Sequence, residues 1–315
     1  MDKIPLISVA LCTFNGQRFL KEQLDSLISQ SYSNIEIIIV DDCSTDLTYD
    51  ILLSYSATYP IIRLHSNESR LGYNKNFEKA LKLCNGEFIA ICDQDDIWNK
   101  DKLEVQLKAI QTNMLVYCDS DLIDSIGKTM NRKMSGKFNF YKGSLPETFL
   151  FMNCVSGHTI LMRRSLLPYA LPFPSEFHYD QWLAYVACCV GSIDFVSESL
   201  VQYRIHDHNC TNLLSSANKC TGASRPREKI LIESGWLKTC SQIVSASQHF
   251  VTSLYLKSLE RNDAFFHCSY ALMIWKNRKS LLHIPKKSSV SKLFFIIKKS
   301  WGLKAKRLIS ATCII

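Results

Sequence analysis

Strand-like and helix-like patterns alternate along the N-terminal part of the chain. Continuous apolar runs of strand length cover residues 7–14, 35–40, 61–65, 87–92 and 115–118. Apolar residues recur at helical spacing between them, over residues 19–28, 50–59, 73–84 and 101–111. Strands that are apolar on both faces and alternate with helices are typical of a mostly parallel sheet covered on both sides. The pattern therefore predicts an α/β fold, with a mostly parallel sheet and helices on both of its faces.

The later part of the chain changes character twice. Residues 125–146 carry five basic side chains, three glycines and no acidic residue, which indicates a loop excursion over the edge of the sheet. Apolar segments return over residues 147–205, and amphipathic helical patterns follow from about residue 226. We predict one domain over residues 1–215, divided at residue 124 into two halves, and a helical region over residues 216–315.

The formal net charge of +8 comes from the end of the chain. No acidic residue follows Asp263, whereas eleven Lys and Arg side chains do, so the 26 remaining basic and 29 acidic residues give −3 for residues 1–263. Apolar and aromatic residues are mixed with these cations over residues 290–297 and 303–309. This mixture is typical of a helix lying on an anionic membrane surface. A packed C-terminal helix with a solvated basic face is the alternative, and the sequence leaves both open.

Cysteine usage and missing motifs exclude several classes of protein. The thirteen cysteines are odd in number, lie mostly in apolar runs and form no CxxC pair, which favours reduced structural thiols in the cytosol over disulfides or a zinc site. No GxGxxG follows the first strand, which argues against a dinucleotide-binding dehydrogenase. We also expect no secretory leader and no membrane-spanning helix, because no apolar run reaches 18 residues.

Polar clusters follow the first, second and fourth predicted strands, where ligand sites form in such sheets. The third cluster, Asp93-Gln94-Asp95-Asp96, places three carboxylates in four residues. Desolvated carboxylates require a counter-charge, and a divalent cation shared with substrate phosphates would supply it. A solvated acidic helix N-terminus is the alternative reading of this cluster alone.

Three motifs in this order resemble the family 2 inverting glycosyltransferases of GT-A fold. They are residues 7–15 with Thr13-Phe14-Asn15, residues 38–46 with Val40-Asp41-Asp42-Cys43-Ser44-Thr45-Asp46, and residues 93–98 with Asp-Gln-Asp-Asp-Ile-Trp. The last motif is similar to the version in bacterial rhamnosyltransferase-like, O-antigen and capsule enzymes. The resemblance extends over about residues 5–212. One departure is Cys43, where the family commonly has glycine, and a positive φ there would be less comfortable for a side chain.

The resemblance implies a nucleotide-sugar site and a metal site. It assigns the donor to the positions Thr13, Asn15, Asp42, Asp93 and Arg204. It assigns a divalent cation, Mn²⁺ or Mg²⁺, to Asp95, Asp96 and His206. Arg204 and His206 belong to a Tyr-Arg-x-His segment that closes these catalytic domains, and they share one face of an extended strand.

The resemblance also implies a catalytic base and an acceptor side. An inverting transfer must deprotonate the acceptor hydroxyl, and Asp180 matches the acid-Asp-Trp motif of the family as the general base. Tyr179 stands where the usual motif has glutamate. Gly157 and Trp182 are assigned to the acceptor side. Residues 1–124 then correspond to the nucleotide-binding half and residues 125–215 to the acceptor half.

The sequence thus predicts a glycosyltransferase that transfers a hexose or deoxyhexose from a nucleotide sugar to a lipid-linked oligosaccharide. We expect it in the cytoplasm, peripheral on the inner face of the membrane through its basic C-terminal region, with no nucleic acid as partner. A sugar-phosphate nucleotidyltransferase is an alternative of related fold, although residues 13–18 are a poor version of its phosphate loop. A basic nucleic-acid-binding protein is the alternative from another class.

Overall fold

The computed structural model describes residues 4–207, 209 and 226–305. The strands in this part of the chain are β1 (Ile7–Thr13), β2 (Ile35–Asp41), β3 (Ile62–Ser66), β4 (Phe88–Cys92), β5 (Ile97–Trp98), β6 (Leu115–Ile123), β7 (Thr129–Lys133), β8 (Leu161–Arg163) and β9 (Ile193–Arg204). The first seven helices are α1 (Leu20–Ile28), α2 (Thr48–Thr58), α3 (Tyr73–Leu83), α4 (Lys102–Ile110), α5 (Met134–Lys137), α6 (Leu167–Ala170) and α7 (Tyr179–Val190). The last five are α8 (Pro226–Ser241), α9 (Gln248–Asp263), α10 (Cys268–Lys276), α11 (Arg278–Leu281) and α12 (Ser289–Ser300). Short 3₁₀ helices cover Pro146–Phe149, Gly157–Thr159 and Arg164–Leu166.

One sheet contains all nine strands. Its order is β3-β2-β1-β4-β8-β6-β9-β5, and β7 pairs with β6 outside this path. Strands β1 to β4 pair in parallel, whereas β8 runs antiparallel to both β4 and β6. Thr13 at the end of β1 lies opposite Asp41 at the end of β2, so the carboxyl ends of the parallel strands share one edge.

The central strands are buried because helices cover both faces. Every residue of β1 and of β4 is buried, including Ser8, whose hydroxyl donates to Glu36. Helix α1 packs Leu20, Leu24 and Leu27 into this core. Burying a Leu side chain stabilises the fold by about 1.5–3 kcal/mol. The continuous apolar runs in the sequence therefore correspond to strands in the middle of the sheet.

The structure confirms the predicted α/β class and adds elements that the periodicity did not show. Strand β6 continues to Ile123, beyond the predicted end at residue 118, although its second half is polar. Ser120 is nevertheless buried there, with its hydroxyl 3.0 Å from Nε2 of His158. Residues 125–146, predicted as an excursion, contain β7 and α5.

The chain divides into two compact units. The first contains residues 1–144 and 154–206, and the second contains residues 145–153 and 207–315. Residues 145–153 therefore belong with the C-terminal helices, although they lie within the predicted acceptor half. The predicted boundary after residue 215 lies outside the described residues, and the domain division stays a prediction.

The second unit is built on helices around a buried charged cluster. Glu233 of α8 accepts hydrogen bonds from Arg261 at 2.5 Å and from Tyr270 at 3.1 Å, and it also pairs with Lys299. Arg261 is 1% exposed. These contacts connect α8, α9, α10 and α12. Residues 306–309 of the predicted second basic stretch lie outside the described residues.

Two further expectations concern thiols and membrane spans. The ten cysteines in the described ranges form no disulfide with one another, and most of them are buried. Among the described helices, none combines the length and the apolar character needed to cross a bilayer.

Candidate functional site

The ends of β1 and β2 are joined by a polar network. Thr13 is 2% exposed, and its hydroxyl donates to Asp41 Oδ1 at 2.8 Å. The Ser44 hydroxyl donates to the same oxygen at 2.6 Å, and the Ser44 backbone N–H donates to Asp41 Oδ2. Asn15 joins the network through its side-chain oxygen, which accepts from the backbone N–H of Thr45 at 2.8 Å. The predicted donor residues Thr13 and Asn15 therefore lie at one fixed strand edge.

Asp42 anchors the loop that precedes α3. Its carboxylate accepts backbone N–H bonds from Leu71 at 2.7 Å and Gly72 at 2.8 Å, and an amide bond from Asn67 at 2.8 Å. Asp42 is only 3% exposed. The loop is thereby held beside the β2 end, where Arg70 stacks on the Phe14 ring at 3.8 Å. A base contact by Asp42 stays a prediction.

Two non-glycine residues at this edge adopt left-handed backbone conformations. Cys43 has φ = 61° and Asn15 has φ = 48°. Asparagine tolerates this region well, whereas cysteine does so at some cost in strain. The Cys43 thiol donates to the carbonyl of Asn67 at 3.0 Å, which offsets part of that cost. The turn at residue 43 therefore has the geometry for which related sequences use glycine.

The acidic segment after β4 is tied to β1 by its glutamine. Gln94 accepts from the Phe14 N–H at 2.9 Å and donates to the Phe14 carbonyl at 3.0 Å. Its side chain lies so close to Gly16 that a Cβ there would meet Gln94 Oε1 at 2.3 Å. A side chain at position 16 would therefore have to displace the Gln94 amide, whose bonds to Phe14 hold the segment at the edge of β1.

Asp95 faces His206, and both are predicted metal ligands. Nε2 of His206 lies 2.8 Å from Asp95 Oδ2, and the His206 ring packs on Phe19 at 4.9 Å between centroids. A carboxylate and an imidazole at this separation are ligand types that bind divalent cations.

Arg204 contacts the backbone of Asp95 and so supports the Asp95–His206 pair. It is 1% exposed, and its Nε donates to the backbone carbonyl of Asp95 at 2.9 Å, while Nη2 pairs with Glu22 of α1. Its guanidinium lies over the Phe19 ring at 4.7 Å, and its backbone N–H donates to Asp96 Oδ1. The predicted contact between Arg204 and the donor stays a prediction.

A second set of possible ligands lies beside the first. One ligand atom each from Asp93, Asp96 and His158 lies within 4.8 Å of the others. Nδ1 of His158 is 3.7 Å from both carboxylates, and its ring stacks on Tyr203 at 4.7 Å. Asp96 Oδ2 is buried and accepts no hydrogen bond from any residue in the described ranges. This buried oxygen and the mixed carboxylate and imidazole donors fit a divalent cation.

Burial controls protonation in this cluster. It raises the pKa of Asp96 to about 8, although His158 opposes the rise. Burial alone would lower the pKa of His158, but Asp96 and Asp93 raise it above its ordinary value. Without a cation, the Asp96–His158 pair therefore keeps a proton at neutral pH. A bound cation would compete with that proton for the same oxygens.

Asp180 lies in the first turn of α7 and is half-buried. Burial raises the pKa of its carboxyl to about 6, although His178 and the backbone N–H of Gln181 oppose part of the rise. The charge of Asp93 adds to the rise in the pKa of Asp180, and that of His158 opposes it. A carboxylate whose pKa lies just below neutral pH is suited to accept a proton from a hydroxyl.

Tyr179 explains the glycine at position 157. A Cβ on Gly157 would lie 2.0 Å from the Tyr179 hydroxyl oxygen, so any side chain there would displace the ring. Trp182 is 4% exposed and donates its indole N–H to the carbonyl of Ala170 at 2.8 Å, which anchors α7. The acceptor contacts predicted for Gly157 and Trp182 stay predictions.

Sequence reasoning left His158 without a role and overlooked Glu22 and Gln94. A lone histidine after Gly157 carries no motif of its own, and Glu22 is one of many acids on helix surfaces. The 3₁₀ helix Gly157–Thr159 packs on β4, β6 and β9, and this packing brings His158 beside the acidic segment. Gln94 was visible within the motif, but its pairing with Phe14 depends on the contact between strand ends.

Comparisons with known proteins agree on one family. Residues 8–169 match the family described as Glycosyl transferase family 2. An uncharacterized glycosyltransferase of Haemophilus influenzae is 27% identical over 243 residues, which are 73% of this chain and 75% of that protein. WfgD of Escherichia coli, named UDP-Glc:alpha-D-GlcNAc-diphosphoundecaprenol beta-1,3-glucosyltransferase, is 31% identical over 57% of this chain and 69% of its own length.

Solved structures show the same fold. S. aureus TarS 1-349 in complex with UDP-GlcNAc aligns with a TM-score of 0.59 at 18% identity, covering 93% of this chain and 81% of that chain. The mannosyltransferase PcManGT from Pyrobaculum calidifontis, in complex with GDP-Man and Mn²⁺, aligns with a TM-score of 0.53 at 17% identity over 95% of this chain and 86% of its own. The GT-A fold expected from the sequence motifs is therefore confirmed.

Proposed function

Since the chain belongs to glycosyl transferase family 2, we propose that it is an inverting, metal-dependent glycosyltransferase of bacterial surface polysaccharide synthesis. In this proposal it moves one hexose or deoxyhexose from a nucleotide-diphosphate donor to a lipid-linked oligosaccharide of the O-antigen or capsule type. The observation that carries the proposal is one cluster at the sheet edge. There Asp95 meets His206, Asp96 meets His158, and Asp180 lies near Asp93.

The chain's own residues supply binding and proton transfer. The ends of β1 and β2 hold the nucleotide, and Asp93 lies where the donor ribose and diphosphate would be bound. The acceptor oxygen attacks the anomeric carbon, the bond from that carbon to the diphosphate breaks, and Asp180 takes the hydroxyl proton. Attack from the face opposite the leaving group inverts the anomeric configuration.

A divalent cation would be held by Asp95 and His206, with Asp96 and His158 as the alternative or supporting pair. When bound, it supplies positive charge that stabilises the departing diphosphate. Arg204 fixes the Asp95 backbone and Gln94 fixes the acidic segment against β1. These two contacts keep the carboxylates in place whether or not the negative charges are neutralised.

The lipid-linked acceptor is supported by a relative and by the second unit. WfgD acts on a diphosphoundecaprenol according to its name. Helix α12 exposes four large apolar side chains at helical spacing, which are Val290 at 63%, Leu293 at 43%, Phe294 at 67% and Ile297 at 36%. Lys292 and Lys298 lie among them and no acid follows Asp263. Such a face suits an anionic membrane surface, where each cation contributes about 1 kcal/mol.

A donor screen tests the proposed function. The full chain is incubated with Mn²⁺ and a panel of UDP-, GDP- and dTDP-linked sugars, and release of nucleotide diphosphate is measured with and without EDTA. We expect one donor to be consumed in a metal-dependent reaction. Consumption of none, or release of a nucleoside monophosphate and a sugar 1-phosphate in place of the nucleoside diphosphate, would refute the proposal.

The stereochemistry of the product is a second, independent test. The coupling constant of the new anomeric proton is measured by NMR and compared with that of the donor. We expect inversion. Retention of configuration would exclude the in-line mechanism with Asp180 as base, even if the protein transfers sugar.

A further inference from the structure

Two exposed aromatic rings lie side by side near Asp180. Tyr73 is the first residue of α3 and is 44% exposed, and His178 precedes α7 and is also exposed. Their ring centroids are 6.1 Å apart with 30° between the planes. The Tyr73 hydroxyl lies 3.2 Å from Nδ1 of His178. The two rings therefore form one surface, which we call the Tyr73–His178 platform.

The platform is held rigidly between two parts of the site. On one side, Leu71 and Gly72 donate their backbone N–H groups to Asp42 at the end of β2. On the other side, the Asn74 amide donates to the carbonyl of Phe177 at 2.7 Å and fixes the segment before α7. Partly buried hydrogen bonds therefore hold the backbone segments that carry the two rings.

Aromatic packing also supports the platform from beneath. Tyr179 contacts Phe77 with centroids 4.6 Å apart and Tyr73 with centroids 6.4 Å apart. Tyr179 itself is buried. Tyr73 thus packs on a buried aromatic layer on one side, while 44% of its surface is exposed.

The position of Asp180 indicates which ligand this is. Asp180 lies two residues after His178 and interacts with it electrostatically. A general base must lie within hydrogen-bond reach of the acceptor hydroxyl, so the groups beside Asp180 face the acceptor and not the nucleobase. The nucleobase residues, in contrast, are predicted at the ends of β1 and β2.

A pyranose ring matches such a platform chemically. Its C–H groups form a weakly apolar face that stacks on an aromatic ring, and its hydroxyls form hydrogen bonds around the rim. Tyrosine and histidine combine an apolar face with a polar edge, as this contact requires. We propose that the Tyr73–His178 platform binds the acceptor sugar by stacking, and this assignment rests on the proposed glycosyl transfer.

Ligand binding tests the platform without requiring turnover. Pyranoside binding to the full chain is measured by saturation-transfer NMR in the presence of UDP and Mn²⁺, with p-nitrophenyl glycosides of GlcNAc, GalNAc, glucose, galactose and rhamnose as probes. The variants are Tyr73→Ala, His178→Ala and Tyr73→Phe. Tyr169→Ala, which removes a 57% exposed tyrosine at α6, is the matched control.

We expect saturable binding of at least one pyranoside by the unmodified chain. Tyr73→Ala should weaken it about tenfold or more, and His178→Ala should weaken it in the same direction. Tyr73→Phe keeps the ring and should stay within about twofold, as should Tyr169→Ala. The affinity for UDP, measured in parallel by calorimetry, should change less than twofold in all four variants.

Three results would refute the assignment of the Tyr73–His178 platform to the acceptor sugar. They are no saturable pyranoside binding by the unmodified chain, unchanged binding in Tyr73→Ala, or an equal loss of UDP affinity, which would assign the ring to the donor. Failure of the proposed function has a different signature, since it leaves the donor screen negative whatever the pyranoside titration shows.

Discussion

Replacing Glu22 by alanine tests how the buried Arg204 is held. Arg204 is 1% exposed, and its guanidinium pairs with the Glu22 carboxylate, with the Asp95 carbonyl and the Phe19 ring also in contact with it. Removing one partner of a buried ion pair costs about 3–5 kcal/mol. The Glu22 side chain is 59% exposed, so water can replace part of the lost interaction. We therefore expect Glu22→Ala to lower the free energy of unfolding by about 1–2 kcal/mol.

The same substitution should weaken the cation site. Arg204 donates to the carbonyl of Asp95, and Asp95 faces His206, so a displaced guanidinium shifts a predicted ligand. Loss of such supporting contacts typically costs 10–100-fold in metal affinity. We expect about a tenfold loss of Mn²⁺ affinity. Loss of Mn²⁺ affinity would distinguish a role of Glu22 and Arg204 in positioning Asp95 from a role in stability alone.

Chemical denaturation and Mn²⁺ calorimetry in the presence of UDP measure these two effects. The matched control is Glu104→Ala on α4, which breaks the exposed pair with Lys108 at i, i+4. That pair should contribute only about 0.3–0.5 kcal/mol and should not affect Mn²⁺. If Glu22→Ala is as stable as Glu104→Ala and binds Mn²⁺ as the unmodified chain does, the reasoning about Arg204 is wrong.

Three further predictions concern the acidic segment, the base and the membrane face. Asp95→Asn should abolish metal-dependent donor turnover with an unchanged melting temperature, because the residue lies at a strand end; full activity, or activity indifferent to EDTA, would contradict this. The transfer rate should rise with pH through the pKa of Asp180, about 6, because the base acts when deprotonated, and roughly a tenth of the carboxylates are active at pH 5. Asp180→Asn should remove this pH dependence and lower the transfer rate about 10²-fold. An unchanged pH–rate profile in this variant would exclude Asp180 as the general base. Phe294→Ser should weaken sedimentation with anionic vesicles about tenfold, since a buried Phe contributes about 1.5–3 kcal/mol, whereas Leu53→Ser on α2 should not; equal binding of both variants would refute docking through α12.

The sequence predicted the strands best where they are buried on both faces. Residues 7–14, 35–40 and 87–92 match β1, β2 and β4 within one or two residues, because a central parallel strand is apolar throughout. The second half of β6 could not be found in this way. Its polar residues are satisfied by distant partners such as His158, which no local pattern reveals.

The candidate site was predicted in its motifs but not in its contacts. The Asp-x-Asp-Asp segment and the Tyr-Arg-x-His segment lie more than a hundred residues apart, and the structure joins them through Asp95 and His206. The pairing of Arg204 with Glu22 depends on α1 lying beside the end of β9, and the sequence alone does not predict that contact. Residue types therefore indicate the chemistry, whereas the orientation of each side chain is a property of the packed sheet.

The second unit is formed from two separate stretches of the chain, which affects how it folds during protein synthesis and how its helices can be exchanged. The Ser247 hydroxyl donates to Glu147 across 100 residues of chain, and the Phe151 ring contacts Phe295 at 6.2 Å. At about 5–20 residues per second, the ribosome delivers residues 145–153 several seconds before the helices that cover them. Phe149, which is fully buried in the folded protein, therefore cannot be covered by those helices until they have been synthesised. For the same reason, an exchange of C-terminal helices between relatives must carry residues 145–153 along with it.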